Sequence, residues 1–355
     1  MALVGHFFII LPPSMFFQKP KLILFLGNLL EDVLMPFLRH AQSYLQPLQH
    51  LAKFRTNVPH KRTIFNKSST ISQQMPPQAW DCHMHVTSPH YPLAPNAAYT
   101  PSLHSLQHAI KFEKTIGISN IVLVQPSIYG NDNSCLLDAL KKIGPLRGRG
   151  VVGIDPDTIE LATLQEWHKL GVRGVRLNLK STNAKFTEAS LQDTLQRYAK
   201  SIKPLGWVLE LFIGMEAIPM LERAAGNLGV RLCIAHCGAP TLPSLEKRSY
   251  PPNPYDLAGF QSLLNLIKDG NTWVKLSAAY RFDQDPEMRG IEAVARELLK
   301  RGGDRIVFAS DWPHTRFEGL DVRPFVERCL EWTEAVGLTE EVFSSNAREL
   351  WDVVE

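Results

Sequence analysis

Two histidines separated by one residue, His83 and His85, stand at the end of the short apolar run AWDCHMHV. Alternate side chains of an extended segment share a face, so both imidazoles project the same way and can chelate a metal ion or grip an oxyanion together. One H-x-H alone is weak, because a single histidine pair can equally be packed into a core. Other apolar runs end in matching groups: Gln125-Pro126-Ser127, then Arg176 and Asn178, then His236-Cys237-Gly238, and finally Ser310-Asp311-Trp312-Pro313-His314. Three imidazoles and a carboxylate at separate strand ends suit hydrolysis of an ester or lactone. The imidazoles, with or without a metal, would stabilise charge on a carbonyl oxygen. Asp311 would take a proton from water and return it to the leaving alkoxide.

Other polar residues are read as structural. Asp81 is expected to point outward or cap a turn. Cys82, Cys233 and Cys237 act as small buried apolar groups, with Cys82 facing away from both histidines. Glu210 is balanced between a site role and a core-edge role, and Lys180 and Lys275 are expected to be solvated or paired. His104, His108 and His168 fall on helical stretches at the surface. Arg147 and Arg149 precede a strand, at the wrong end for catalysis.

The elements that must position these groups are β-branched runs alternating with amphipathic stretches. Strands are expected at 79–86, 120–127, 148–155, 171–178, 207–213, 231–238, 272–278 and 305–313. Between them lie helix-like segments such as 103–117 and 320–337, and several end in Leu-Gly before the next β run. Eight such strands in one domain predict an α/β fold of the (β/α)8 TIM-barrel type, whose reactive residues sit where the strands end. An open doubly wound sheet is the alternative, but no G-x-G-x-x-G follows an early strand.

Composition narrows the function classes. Of 355 residues, 45% are hydrophobic and 21% charged, which suits a globular chain with a large core. Residues 1–74 hold eight Lys/Arg against Glu31 and Asp32, leaving 30 basic and 33 acidic residues in the remainder. That slightly acidic body offers no footprint for nucleic acid. The apolar runs at 7–17 and 22–30 are too short for a stable membrane span. Residues 1–74 are therefore expected to be an N-terminal extension, unfolded or serving in targeting, and 75–355 the barrel. Lys53 to Gln74 is basic, Ser/Thr-rich and free of acids, as in a mitochondrial transit segment; otherwise the expected location is cytoplasmic. Five scattered cysteines read as reduced thiols.

The segments DCHMHV, VQPSIYGNDN, GVRGVRLN, IAHCG, WVKLSAAYR and ASDWPH, spread over residues 78–355, resemble the amidohydrolase superfamily. The similarity is to its branch containing 2-pyrone-4,6-dicarboxylate lactonase and sugar lactonases. The resemblance implies a distorted barrel of the metal-dependent-hydrolase type, with Asp311 as general base and His83, His85 and His236 polarising the scissile carbonyl. It also implies that Tyr99, Ser127, Arg176 and Arg281 hold the substrate, with His314 counted beside them. Two family arginines are replaced by Thr182 and Ala239, and a family tyrosine by Phe212. A small mono-anionic aromatic or pyrone-like lactone is therefore expected, with Trp312 and Phe212 as an apolar wall. No cofactor is expected to be required, one zinc ion being the alternative. The chain is expected to act as a monomer or homodimer on a small molecule. A metal-dependent non-oxidative decarboxylase and a non-catalytic ligand-binding barrel are the competing functions.

Overall fold

The computed structural model of the protein describes residues 70–181, 185–226 and 228–353. Thr182 and nearly all of the N-terminal extension lie outside the described residues. Eight parallel strands run in sequence order: β1 (Trp80–Met84), β2 (Asn120–Val124), β3 (Gly148–Val152), β4 (Val172–Asn178), β5 (Val208–Phe212), β6 (Arg231–Ile234), β7 (Thr272–Leu276) and β8 (Ile306–Phe308). Each pairs in parallel with the next. The ring closes between β8 and β1 through His85 N–H to the Trp312 carbonyl, 2.8 Å, and Asp311 N–H to the His83 carbonyl, 3.0 Å. The fold is thus the eight-stranded parallel barrel expected. The strands are shorter than the apolar runs because the last residues of each run leave the ladder to build the loops of the site.

Helices cover the outside: α1 (Ile71–Gln74), α2 (Leu106–Ile116), α3 (Ser134–Ile143), α4 (Leu161–Leu170), α5 (Glu188–Ile202), α6 (Ile218–Ala225), α7 (Phe260–Lys268), α8 (Arg289–Gly302), α9 (Arg323–Glu334) and α10 (Asn346–Leu350). The Gly that follows a helix supplies the left-handed residue that ends it, as at Gly117 with φ 81° and Gly171 with φ 107°. At Gly117 a Cβ would also meet the Ser72 backbone at 2.7 Å, which fixes how closely α1 approaches α2. No helix among the described residues is long and apolar enough to cross a membrane.

Two apolar layers follow from the strand alternation. One face packs under the helices. The other fills the barrel with Trp80, Cys82, Val124, Val208, Cys233 and Trp273, closed from below by Trp351 after α10. Arg149 hydrogen-bonds the Trp351 carbonyl at 3.0 Å, so it belongs to this floor, at the end away from the strand termini as expected.

Asp81 has the structural role expected of it: it is buried behind β1 on the helix side, and its Oδ1 accepts N–H bonds from His83 two residues on and from Ser310, each 3.0 Å. Two local readings need correction. Cys82 lies on the inner face with Trp80, as alternation requires. It does not face away from His83, because the β1–β2 register shift between Asp81 and Met84 accompanies His83 turning to the same interior, against Lys275. His104 is not helical; it bridges Thr87 ahead of α2 and lies edge-on to Trp312 at 5.5 Å.

Two predictions follow from this packing. Ile71 and Met75 are both buried against the barrel, although Ile71 belongs to the segment assigned to the extension. A chain begun at Met75 is expected to fold, but with about 1–3 kcal/mol less stability than one begun at Thr70, read by urea denaturation. The second concerns Glu113 on α2, whose buried carboxyl faces Asp81. Neither Glu113 nor Asp81 Oδ2 meets a donor among the described residues. Burial pushes Asp81 up to about 6, and burial and then the Asp81 charge push Glu113 well above the usual range. Both groups hold protons in the folded state that the unfolded chain releases, so the stability they contribute is present at low pH and lost as pH rises through 6. Glu113→Gln mimics the protonated acid. It should raise the unfolding free energy at about pH 8 by on the order of 1–2 kcal/mol, and by much less at about pH 5, as read by urea denaturation.

Candidate active site

The closing segment between β8 and β1 brings the charged centre together. Asp311 has φ 63°, a left-handed backbone that costs a residue with a Cβ about 1–2 kcal/mol. His236 after β6 and Ala278 after β7 share it, with φ 57° and 56°. The chain after each of β6, β7 and β8 thus passes through a strained turn, two of which carry the site residues His236 and Asp311, and strain of this kind clusters at functional sites.

The two oxygens of Asp311 have different surroundings. Oδ2 accepts from the Tyr280 hydroxyl at 2.6 Å and from Arg281 Nε at 2.7 Å. Oδ1 faces the Nε2 atoms of His83, His85 and His236 at 3.8, 3.8 and 4.0 Å, beyond direct hydrogen bonding and close enough for a small group to lie between them. Burial alone would raise the Asp311 carboxyl, but His236, Arg281 and His85, with the Tyr280 hydroxyl, hold it well below the usual range. It is an anion at neutral pH.

The imidazoles are neutral. Burial lowers His85 to about 4 and His236 to about 3, and holds His83 well below its ordinary value. The backbone carbonyl of Val124 lies 2.8 Å from His85 Nδ1 and can only accept, so Nδ1 carries the proton and Nε2 presents its lone pair. Ser277 Oγ holds His236 Nδ1 at 2.8 Å. His83 is flanked by two buried charges, with Lys275 Nζ 3.2 Å and Glu210 Oε1 3.4 Å from its Nδ1.

A cavity of about 540 Å³ opens above this centre, within the range for small-molecule sites. Its wall includes His85, His236 and Asp311, and the expected Tyr99, Ser127, Arg176 and Arg281 all reach it. Arg176 donates to the Gln125 carbonyl at 2.7 Å and has a buried Nε without a partner among the described residues. His314 does not line the cavity; it is buried edge-on to Phe112 and Tyr280, at 5.9 and 5.6 Å. Trp312 likewise packs on Phe112, so of the two expected apolar walls only Phe212 forms one, edge-on to His236 at 4.9 Å. The wall also carries Lys180, read from sequence as solvated or paired, and Phe282, Arg316 and Phe317, which the strand-end reading passed over. Lys180 and Lys275 are paired, with Glu216 and Glu210 respectively. Tyr280 stood in the quoted AAYR turn, where nothing local in sequence says that its hydroxyl meets Asp311. Cys82 is no nucleophile, because burial pushes its thiol up to about 12.

Ligand atoms of His83, His85 and Asp311 lie within 4.8 Å of one another. Two ring nitrogens and a carboxylate oxygen suit zinc, and the buried His83 Nε2 has no hydrogen-bond partner among the described residues, so these residues fit a single ion.

The comparisons agree with this geometry. The chain is 31% identical over 247 residues, 68% of its own length and 77% of the relative's, to the 4-sulfomuconolactone hydrolase of Hydrogenophaga intermedia. It is 28% identical over 253 residues, again 68% of its length and 78% of the relative's, to the 2-pyrone-4,6-dicarboxylate hydrolase of Comamonas testosteroni. A Pseudomonas putida crystal structure, described as a candidate 2-pyrone-4,6-dicarboxylic acid hydrolase, superposes with a TM-score of 0.66 at 32% identity, covering 78% of this chain and 99% of that one. The amidohydrolase family model matches residues 80–353, the whole barrel from β1 to its floor, and the chain belongs to that family.

Proposed function

We propose that the protein hydrolyses a lactone or other cyclic ester of a small anionic molecule. The observation that carries this reading is the asymmetry of Asp311, with one oxygen locked by Tyr280 and Arg281 and the other open toward three neutral imidazoles. Water between Oδ1 and the substrate carbonyl would lose its proton to Asp311 as it attacks. The same proton would pass to the ring oxygen as the carbon–oxygen bond opens. His85 presents a lone pair and so orients the water, while donors on the far side of the carbonyl meet the developing oxyanion. Arg281 tunes this base. A substrate carboxylate against its guanidinium would draw that charge away from Asp311 and raise its basicity once substrate is bound. One zinc ion, if held by His83, His85 and Asp311, would supply Lewis-acid polarisation of the carbonyl.

The cations of the wall support an anionic substrate. Arg281 and Lys180 are engaged by Asp311 and Glu216, whereas Arg176 and Arg316 have no carboxylate partner among the described residues. The single anionic group expected from Thr182 and Ala239 counts positions within strand-end motifs only. Arg316 enters the wall from the loop after β8, with its guanidinium 5.9 Å over the Tyr99 ring.

Asp311→Asn keeps the shape of the site and loses the base. Turnover of a lactone substrate should fall by about a hundredfold or more, with binding retained, as read by steady-state kinetics and calorimetry. Unchanged kcat would remove Asp311 from the mechanism. Comparison of one acid with its methyl ester checks the charge reading. The ester should lose on the order of tenfold or more in kcat/KM, and Arg176→Met should erase most of that difference. Equal values for both substrates in the wild type would show that the guanidiniums do not read a carboxylate.

A further inference from the structure

Among the described residues the inner cluster of the barrel is largely apolar, and it encloses one ion pair that hydrolysis does not itself use. Lys275 on β7 and Glu210 on β5 are both fully buried and joined as an ion pair directly beneath His83. Burying two charges costs more than an apolar pair of the same volume would, unless every donor and acceptor around them is placed. The ammonium meets that condition. It has three N–H bonds and three acceptors: Glu210 Oε2, the Cys82 carbonyl at 2.7 Å, and His83 Nδ1 at 3.2 Å. The Trp351 ring, centred 5.2 Å from Nζ, covers it from the floor.

We propose that Lys275, fixed by Glu210, holds His83 in the tautomer with its proton on Nε2, making His83 the hydrogen-bond donor to the substrate carbonyl. Lys275 and Glu210 are then positioning residues. Distance and valence together favour Nδ1 as the acceptor. If Nδ1 carried the proton, its acceptor would be Glu210 Oε1 at 3.4 Å, a long contact, and the third N–H of Lys275 would point at another N–H. With Nδ1 accepting, every N–H of the ammonium is satisfied, Glu210 Oε1 is left without a donor among the described residues, and the ring proton faces the gap in front of Asp311 Oδ1, 3.8 Å away.

The two histidines of H-x-H therefore have opposite polarity. The Val124 carbonyl makes His85 Nε2 an acceptor, and the Lys275 ammonium makes His83 Nε2 a donor. One can orient the water and the other the carbonyl, the two needs of hydrolysis. Holding zinc through both Nε2 atoms would require the His83 proton to move to Nδ1, with Glu210 Oε1 as its acceptor. The catalytic meaning rests on the lactonase reading; the tautomer does not.

The test is long-range ¹H–¹⁵N correlation of the full chain, labelled at histidine nitrogen and stripped of metal with a chelator. His83→Gln identifies the His83 signals. Expected is a protonated Nε2 and a lone-pair Nδ1 for His83, with the reverse for His85. A protonated Nδ1 on His83 overturns the proposal, whatever the enzyme turns over. In Lys275→Met the His83 proton should shift to Nδ1 and kcat should fall about tenfold to a hundredfold, with KM little changed. A folded Lys275→Met protein that keeps the Nε2 proton also overturns it. Should that variant not fold, the wild-type spectrum decides alone. A protonated Nε2 without turnover of any lactone would refute the proposed reaction and leave the tautomer standing.

Discussion

One carboxylate oxygen joins the barrel's first strand to its last. Asp81 Oδ1 accepts the N–H of His83 on its own strand and the N–H of Ser310 after β8. β8 is only three residues long, so its ladder ends before the site begins. Without Asp81 the chain from Ser310 to Trp312 would keep only two backbone bonds to β1 among the described residues, its other anchors being the Tyr280 and Arg281 bonds to the Asp311 side chain. Because the bonded groups flank His83 and Asp311, the same interaction closes the barrel and sets base against imidazole. Its setting is expensive. The acceptor is buried, and its second oxygen shares an apolar space with Glu113, so the closure depends on a proton kept where water is excluded.

A second constraint is electrostatic. Burial drives all three site imidazoles toward neutrality, which removes the simplest source of positive charge for an oxyanion. The positive charge is supplied by groups whose charge is secure. Arg281 touches Asp311 directly, and Arg176 stands in the wall. Neutral rings can then be specified by tautomer, through whichever atom sits against Nδ1: a carbonyl for His85, a hydroxyl for His236 and an ammonium for His83. This is a way of assigning donor and acceptor roles without titrating anything near neutral pH.

The floor of the barrel takes part in the same arrangement. Trp351 lies under Lys275, Arg149 holds the Trp351 carbonyl, and Asn346 ties the start of α10 to the Ile306 carbonyl at 2.8 Å. The last helix is therefore a plug under the central ion pair, and residues far from the cavity bear on the orientation of His83.

Much of this was legible in the chain itself. Apolar runs of strand length, bounded by Gly, Pro or polar residues, determine the eight strands. Helix-stopping glycines at Gly117 and Gly171 mark the crossovers, and the rule that parallel barrels work at their strand ends selects His83, His85, His236 and Asp311. Those are properties of neighbours along the chain, and periodicity records them. What only the tertiary structure decided involves partners on different strands or a break in periodicity. Asp81 reads as a structural residue, and only the approach of β8 gives it the Ser310 N–H as a partner. Cys82 reads as facing away until the β1 register shifts. His314 and Trp312 sit in the right motif, yet they turn onto Phe112 behind the wall. Lys275 and Tyr280 acquire roles only from atoms that approach from β1, β5 and the turn after β8. A sequence specifies which residues are available at each strand end. Which nitrogen, oxygen or proton meets which depends on the closing of the ring, where residues hundreds of positions apart share a few ångströms.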